Sequence, residues 1–328
     1  TTQIVSSDRG DTVAVADRLV LVHVLNGNMQ FLWVTTTSNV GVMRRDLGVP
    51  LDATILLHPS HKELVDEMQV GEMAEGHLTV EVRFRGVGGG EREDEALYTA
   101  AGQGDTHEVK HLVSQGANVN SHGEAGWAPL HCAASGGHTE TTRALVEMGA
   151  AVDGKNQLDE TPLHHAAFNG KTDTTRALVE MGAAVDARDI HDSTPLHSAA
   201  MEGHTETTRA LVEMGAAVDA NNESGWAPLH RAAFNGKTET TRVLVEMGAA
   251  IDGKDRLDET PMHHAAWWGH TETTRALMEM GAAVDTKDKH GRTPLHLAVR
   301  RDHSETAKAL VEMGAGVDVQ DQDGRTAL

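Results

Sequence analysis

The chain has 328 residues, a net charge of -21, 39% hydrophobic and 23% charged residues. That composition belongs to a folded globular chain rather than a disordered one, and no run approaches the roughly 18 apolar residues of a membrane-spanning helix. The negative field repels phosphate backbones and anionic membrane surfaces, which disfavours nucleic acid and favours partners with basic surfaces.

Residues 1–17 form an N-terminal segment without the basic and apolar regions of a secretory leader. The chain starts at Thr1 rather than at a methionine, so a removed targeting segment stays open as an alternative. The single cysteine, Cys132, excludes an internal disulfide and a CxxC metal site. It points to a reducing, cytoplasmic compartment, with an organelle as the alternative.

Residues 18–86 alternate in the manner of strands. Leu19, Leu21, His23 and Leu25 precede a turn at Asn26-Gly27-Asn28, and Phe31 and Trp33 lie in a second run. Ser38 is placed to cap a short helix carrying Val40, Met43 and Leu47, stopped by Gly48 and Pro50. Ile55-Leu56-Leu57 reads as a short buried strand. Leu78, Val80, Val82 and Phe84 alternate with Thr79, Glu81, Arg83 and Arg85, as in a half-buried strand. This order resembles the ubiquitin-like β-grasp fold. Gly48-Val49-Pro50-Leu51-Asp52 is similar to ubiquitin's post-helix segment, Leu64-Val65-Asp66 to its leucine-x-aspartate turn, and Val82 to Gly86 to its last strand and tail. The resemblance implies a small α+β domain. Gly86 is internal and Glu81 falls where ubiquitin has a valine, so a fused domain is implied rather than a conjugated modifier. Residues 87–94, with Gly88 to Gly90 and an acidic run, read as a linker.

From residue 95 onward the sequence repeats. Ala128-Pro129-Leu130-His131 returns at Thr161, Thr194, Ala227, Thr260 and Thr293, always 33 residues on. A degenerate copy lies at Glu95-Ala96-Leu97-Tyr98 and a truncated one at Thr326-Ala327-Leu328. In each unit the threonine hydroxyl is expected to cap a helix with proline at its first position, and alanine pairs such as Ala166-Ala167 let neighbouring helices approach closely. Gly170 ends this inner helix, and an outer helix runs from about Thr172 to Met181 before Gly182. Both helices are too short to stand alone, so stacking must supply their stability. Thr174 and Thr175, with Thr207 and Thr208, are expected to give a softer inter-repeat core. Residues 122–220 also resemble 221–319, which suggests duplication of a three-repeat block.

The 33-residue period and its T-P-L-H-x-A signature resemble the ankyrin repeat family over about residues 91–328. The resemblance implies an α-solenoid of about seven repeats plus a truncated last one, the first copy acting as a cap and Leu328 leaving an open apolar end. It implies a non-catalytic scaffold that binds a protein in a concave groove. An adaptor in ubiquitin or proteasome traffic, through the N-terminal domain, and a structural subunit of a large assembly are the alternatives.

No nucleophile elbow, catalytic triad or phosphate-binding Walker sequence is present, and no catalytic residue, cofactor or metal is expected. The signature histidines, including His131, His164, His197, His230, His263 and His296, lie one layer apart and are expected to bond neighbouring backbone or threonine. The methionines ending the outer helices, Met148 to Met313, are expected to pack on the core. Variation is concentrated elsewhere. The inner helices end on Ser135, Phe168, Met201, Phe234, Trp267 and Arg300, followed by Gly136, Asn169, Glu202, Asn235, Trp268 and Arg301. The hairpin tips are expected to offer Trp127, Leu158, His191, Trp226, Leu257 and Arg292. Six of the ten aromatic residues fall on these positions, and aromatics anchor protein interfaces. The expected partner-binding residues are Trp127, Leu158, Phe168, Asn169, Met201, Trp226, Phe234, Asn235, Leu257, Trp267, Trp268 and Arg300. The expected partner is a protein segment with basic and apolar contact residues.

Overall fold

The structure, a computed structural model, describes residues 18–23, 29–34, 55–58, 65–72, 78–84 and 89–328. The chain divides into two compact units, residues 1–93 and 94–328. In the first, β1 (Arg18–His23) pairs antiparallel with β2 (Met29–Val34) and β3 (Ile55–His58). β4 (Val65–Glu72) pairs antiparallel with β5 (Leu78–Phe84) and takes in Val65 and Asp66 of the expected turn. The helix expected between Ser38 and Leu47 lies outside the described residues.

From residue 89 onward the described residues form fourteen α-helices in seven pairs, the first of which begins just before the second unit. They are α1 (Gly89–Gln103) with α2 (Thr106–Ser114), α3 (Pro129–Gly136) with α4 (Thr139–Glu147), α5 (Pro162–Phe168) with α6 (Thr172–Glu180), and α7 (Pro195–Glu202) with α8 (Thr205–Glu213). The remaining pairs are α9 (Pro228–Phe234) with α10 (Thr238–Glu246), α11 (Pro261–Trp267) with α12 (Thr271–Glu279), and α13 (Pro294–Arg300) with α14 (Ser304–Glu312). Helix α1 starts inside the segment read as a linker, because Glu91 to Ala96 is rich in good helix formers.

Each inner helix from α3 to α13 packs on the next inner helix, and the outer helices from α4 to α14 stack in parallel with them. The alanine pairs from Ala133-Ala134 to Ala265-Ala266 are fully buried, which permits this close approach. Leu163 and Leu178, with their counterparts in other repeats, are equally buried, each contributing on the order of 2 kcal/mol. Met148, Met181, Met214 and Met280 are partly buried against the same core, as expected.

Polar contacts repeat with the same period. The signature threonine does not cap its helix in the expected way. Instead His164 Nδ1 accepts from the Thr161 backbone N–H at 3.1 Å and from the Thr161 hydroxyl at 2.9 Å. A backbone N–H can only donate, so Nδ1 is unprotonated and Nε2 carries the hydrogen. That Nε2–H donates to the carbonyl of Ser193, at the entry of the next repeat, at 3.1 Å. The bond recurs from His131, His197, His230, His263 and His296 to the residue 29 positions on.

The adjacent threonines inside the outer helices, from Thr141-Thr142 to Thr273-Thr274, are fully buried, and each pair divides its labour. Thr174 Oγ1 lies 2.8 Å from Thr139 Oγ1 of the preceding repeat, and six such hydroxyl pairs run from Thr106–Thr141 to Thr271–Thr306. The expected soft core is thus cross-linked by hydroxyls. The second threonine is different: Thr142, Thr175, Thr208 and Thr241 bury a hydroxyl with no partner. On the outer face, Arg143–Glu180 and four equivalent pairs join adjacent repeats at 2.6 to 3.6 Å, each exposed and worth little.

Two predictions follow from these contacts. Thr175→Val keeps the shape and removes an unpaired hydroxyl, and it is expected to stabilise the array by about 1 kcal/mol; Thr174→Val breaks a hydroxyl pair and is expected to destabilise by a similar amount. Urea unfolding followed by circular dichroism measures both, and opposite signs are required. Burial pushes His197, His230 and His263 down to about 4. The folded state therefore binds fewer protons than the unfolded one between about pH 6.5 and 4. Stability is complete above about 6.5 and declines as pH falls, by on the order of 1.4 kcal/mol per histidine per unit. Melting temperatures from pH 8 to 4 check this, and a curve flat below 6.5 contradicts it.

Candidate partner-binding surface

The hairpins between repeats place the first group of expected contact residues. Asn156, Asp189, Asn222, Asp255, Asp288 and Asp321 each accept backbone N–H bonds from the residues two and four positions on, which folds the tip. The third residue after each needs a left-handed backbone, supplied by Asp159, Asp192 and Asp258 or by Gly225, Gly291 and Gly324. Adjacent tips are joined by backbone bonds such as Ile190 N–H to the Leu158 carbonyl, 3.0 Å.

The expected tip residues fall into two registers. Leu158, His191 and Leu257 are true tips, aligned with Ala125, Ser224 and His290, and Leu158 and Leu257 are 49% and 50% exposed. Trp127, Trp226 and Arg292 lie two residues further along, aligned with Glu160, Ser193 and Glu259, where the chain leaves the hairpin. The interval from Trp127 to Leu158 is two residues short of the repeat, so the two sets never share a position. Trp127 is half-buried and packs on His165, ring centroids 4.2 Å apart. Burial pushes His165 down to about 3.

The inner-helix ends form a strip in which the last residue of one repeat meets the following position of the next. Asn169 Nδ2 donates to Ser135 Oγ at 3.2 Å, Trp268 meets Phe234 edge to face with centroids 5.0 Å apart, and Arg301 Cζ lies 3.7 Å from the Trp267 ring centre. Asn169 and Asn235 also donate to the carbonyls of His165 and Arg231, both at 2.9 Å, closing their own helix ends. Met201 is half-buried, Arg300 is exposed, and Phe168 and Trp268 are 41% and 46% exposed.

The second three-repeat block gathers more than the first. Trp226 packs on Phe234 at 5.0 Å and on His264 at 4.4 Å, so Trp226, Phe234 and Trp268 make one continuous aromatic cluster. Trp226 is held in place by its indole N–H, which donates to Asp255 Oδ2 at 3.0 Å. His264 Nε2 lies 3.1 Å from the same oxygen. The first block has Asn156 here, with His165 Nε2 at 3.2 Å from its amide nitrogen. Burial alone would raise the Asp255 carboxyl, but bonds from His264 and from the N–H groups of Glu259 and Leu257 hold it below the usual carboxylate range. Burial pushes Glu259 up. Asp255, Glu259 and His264 bring three ligand-type atoms within 4.8 Å of one another. Hydrogen bonds already engage the Asp255 oxygen, and Arg292 stands 3.6 Å from Glu259, so the group is satisfied as an internal ion-pair network. Its role is to brace Trp226.

The model of the family described as ankyrin repeats matches the chain in overlapping windows that run from residue 97 to residue 323. The chain belongs to the ankyrin repeat family. The ankyrin array is also similar to the crystal structure of the human ASB11 ankyrin repeat domain, with 31% identity and a TM-score of 0.62 over 67% of this chain and 98% of that one. No curated protein matches the chain. Within this chain the frame residues recur from copy to copy, and the side chains at the inner-helix ends and hairpins are those that differ.

Sequence reasoning missed the Asp255 brace and the part played by Arg231 and Arg301. The substitution of Asn156 by Asp255 between otherwise matching blocks was the available signal. Asp255→Ala removes the acceptor of Trp226, Leu257, Glu259 and His264 together and is expected to cost about 3 kcal/mol; Asp255→Asn keeps the two loop bonds and is expected to cost about 1 kcal/mol. Urea unfolding followed by tryptophan emission measures both.

Proposed function

We propose that the ankyrin array is a non-catalytic scaffold that binds another protein through the strip of inner-helix ends and the hairpin tips beside it. The observation that carries this reading is the aromatic cluster Trp226–Phe234–Trp268, which leaves Trp268 46% exposed although the core is already filled by leucine and alanine. Exposed aromatics on a rigid frame bury large area at low entropic cost, as interface hot spots do. Protein partners are what ankyrin repeats generally engage. Among the described residues no helix is long and apolar enough to cross a membrane. The half-buried Cys132, whose thiol burial pushes up, suits a reducing compartment.

Trp268→Ala combined with Phe168→Ala is expected to weaken partner retention by about tenfold or more while the melting curve stays within a few degrees. Cross-linking in native extract with peptide identification, wild type against variant, provides the readout; unchanged cross-links sink the assignment. The ubiquitin-like resemblance of residues 18–86 supports a second reading, an adaptor in ubiquitin or proteasome traffic. Recovery of proteasome or ligase components by the full chain, lost on deleting residues 1–86, supports that reading; recovery unaffected by the deletion removes it.

A further inference from the structure

The arginines of the array are used in different ways: Arg188 donates to the carbonyls of Asp192 and Asn221, and exposed Arg256, at a hairpin, enters no ion pair among the described residues. On the outer helices arginines are spent on glutamates, as in Arg143–Glu180 at 2.6 Å and Arg242–Glu279 at 2.8 Å, and Arg292 is spent on Asp288 at 2.6 Å. Arg231, Arg300 and Arg301, on or next to the inner-helix ends of the last three repeats, enter no ion pair and no side-chain hydrogen bond among the described residues. Two of them are laid on indole faces instead. Arg231 Cζ stands 5.2 Å from the Trp226 ring centre, and Arg301 Cζ stands 3.7 Å from that of Trp267.

Stacking fixes a guanidinium by one face and leaves its N–H edge unspent. A guanidinium has five donors and no acceptor, and its fork matches a carboxylate. Arg300 and Arg301 are exposed, so both edges are open to a ligand. Asp302 follows them in the chain and forms no ion pair with either, among the described residues. Trp268, which follows the stacked Trp267 in the chain, is exposed and braced by Phe234. The protein's net charge of -21 opposes an anionic ligand at long range, but charges beyond about 8 Å are screened at physiological salt. The local chemistry is the reverse of the global one.

We infer that Arg300, Arg301, Trp267 and Trp268 bind an extended peptide segment in which carboxylate side chains flank an apolar one. The carboxylates take the unspent donors of Arg300 and Arg301, and the apolar side chain lies on Trp268. This rests on the reading of the array as a protein-binding scaffold and narrows its partner. At this end of the strip it replaces the basic contact character that the net charge suggests.

Calorimetric titration of the full chain with two capped peptides, Glu-Phe-Glu-Leu-Glu and Lys-Phe-Lys-Leu-Lys, tests the inference. The glutamate peptide is expected to bind and to weaken as salt is raised. The double substitution Arg300→Ala with Arg301→Ala is expected to weaken it by about tenfold or more. Both arginines are exposed, and an unchanged melting curve verifies that the variant folds. Arg301→Lys keeps the charge and loses the fork, and is expected to recover only part of the affinity. Tighter binding of the lysine peptide, indifference of the glutamate peptide to the arginine substitutions, or binding of neither peptide overturns the inference. Lysine-peptide binding that Trp268→Ala abolishes overturns it while leaving the scaffold reading in place. Neither peptide binding, together with native cross-links unaffected by Trp268→Ala, removes both.

Discussion

The structure depends on one bifunctional side chain in each repeat from α3 onward. The signature histidine closes the start of its own helix with one ring nitrogen and reaches the next repeat with the other. His164 does so with Thr161 on one side and the Ser193 carbonyl on the other. Both bonds exist only in one neutral tautomer. Protonation would place a hydrogen on Nδ1 facing a backbone N–H, so the ring is useful only while it stays dry. Burial enforces that state, and the same histidine sets the register of one helix pair on the next. Helices of seven to nine residues, marginal in isolation, acquire definite positions in this way.

Around this bond the remaining polar contacts are also periodic: the hydroxyl pairs, the Arg–Glu pairs, and Asp186 with its equivalents accepting an N–H from the following repeat. They join neighbours only, as a one-dimensional array requires. Since the frame is held by residues that do not change, the inner-helix ends and hairpin tips are released from structural duty and can differ. The two three-repeat blocks show what that freedom permits. Asn156 and Asp255 occupy equivalent turns, yet only the carboxylate takes the indole N–H of the tryptophan beside it. In the second block the aromatic residues consequently form a connected cluster, and Arg231 and Arg301 stack on indoles rather than pairing with carboxylates.

The repeat period, the helix pairs and their breaks were legible from the sequence, because each is set by residues close together in the chain. Proline starts the inner helices from α3 on, glycine follows both helices of each pair except after α13, where Asp302 takes its place, and alanine pairs mark the buried side of α3 to α11. The variable positions were legible too, since near-identical copies make each departure conspicuous. The hairpin positions were not, because the tip register of Leu158 and Leu257 and the tryptophan register of Trp127 and Trp226, two residues further along, are not distinguished by residue type alone. The capping role given to the threonine hydroxyl failed because helix-start preference names the residue type only: the His164 N–H bonds the Thr161 carbonyl, and the hydroxyl donates to His164 Nδ1 instead.

By itself the sequence determined a periodic helical array and the list of side chains that vary along it. Only the tertiary structure decided which of them meet, because those contacts join residues about one repeat apart and depend on how neighbouring helices stack. Trp268 on Phe234, Arg301 on Trp267 and Trp226 on Asp255 are all of this kind. The unpaired donors at the inner-helix ends were decided the same way. Net charge sums every residue, whereas a ligand meets only the donors that the fold leaves unpaired.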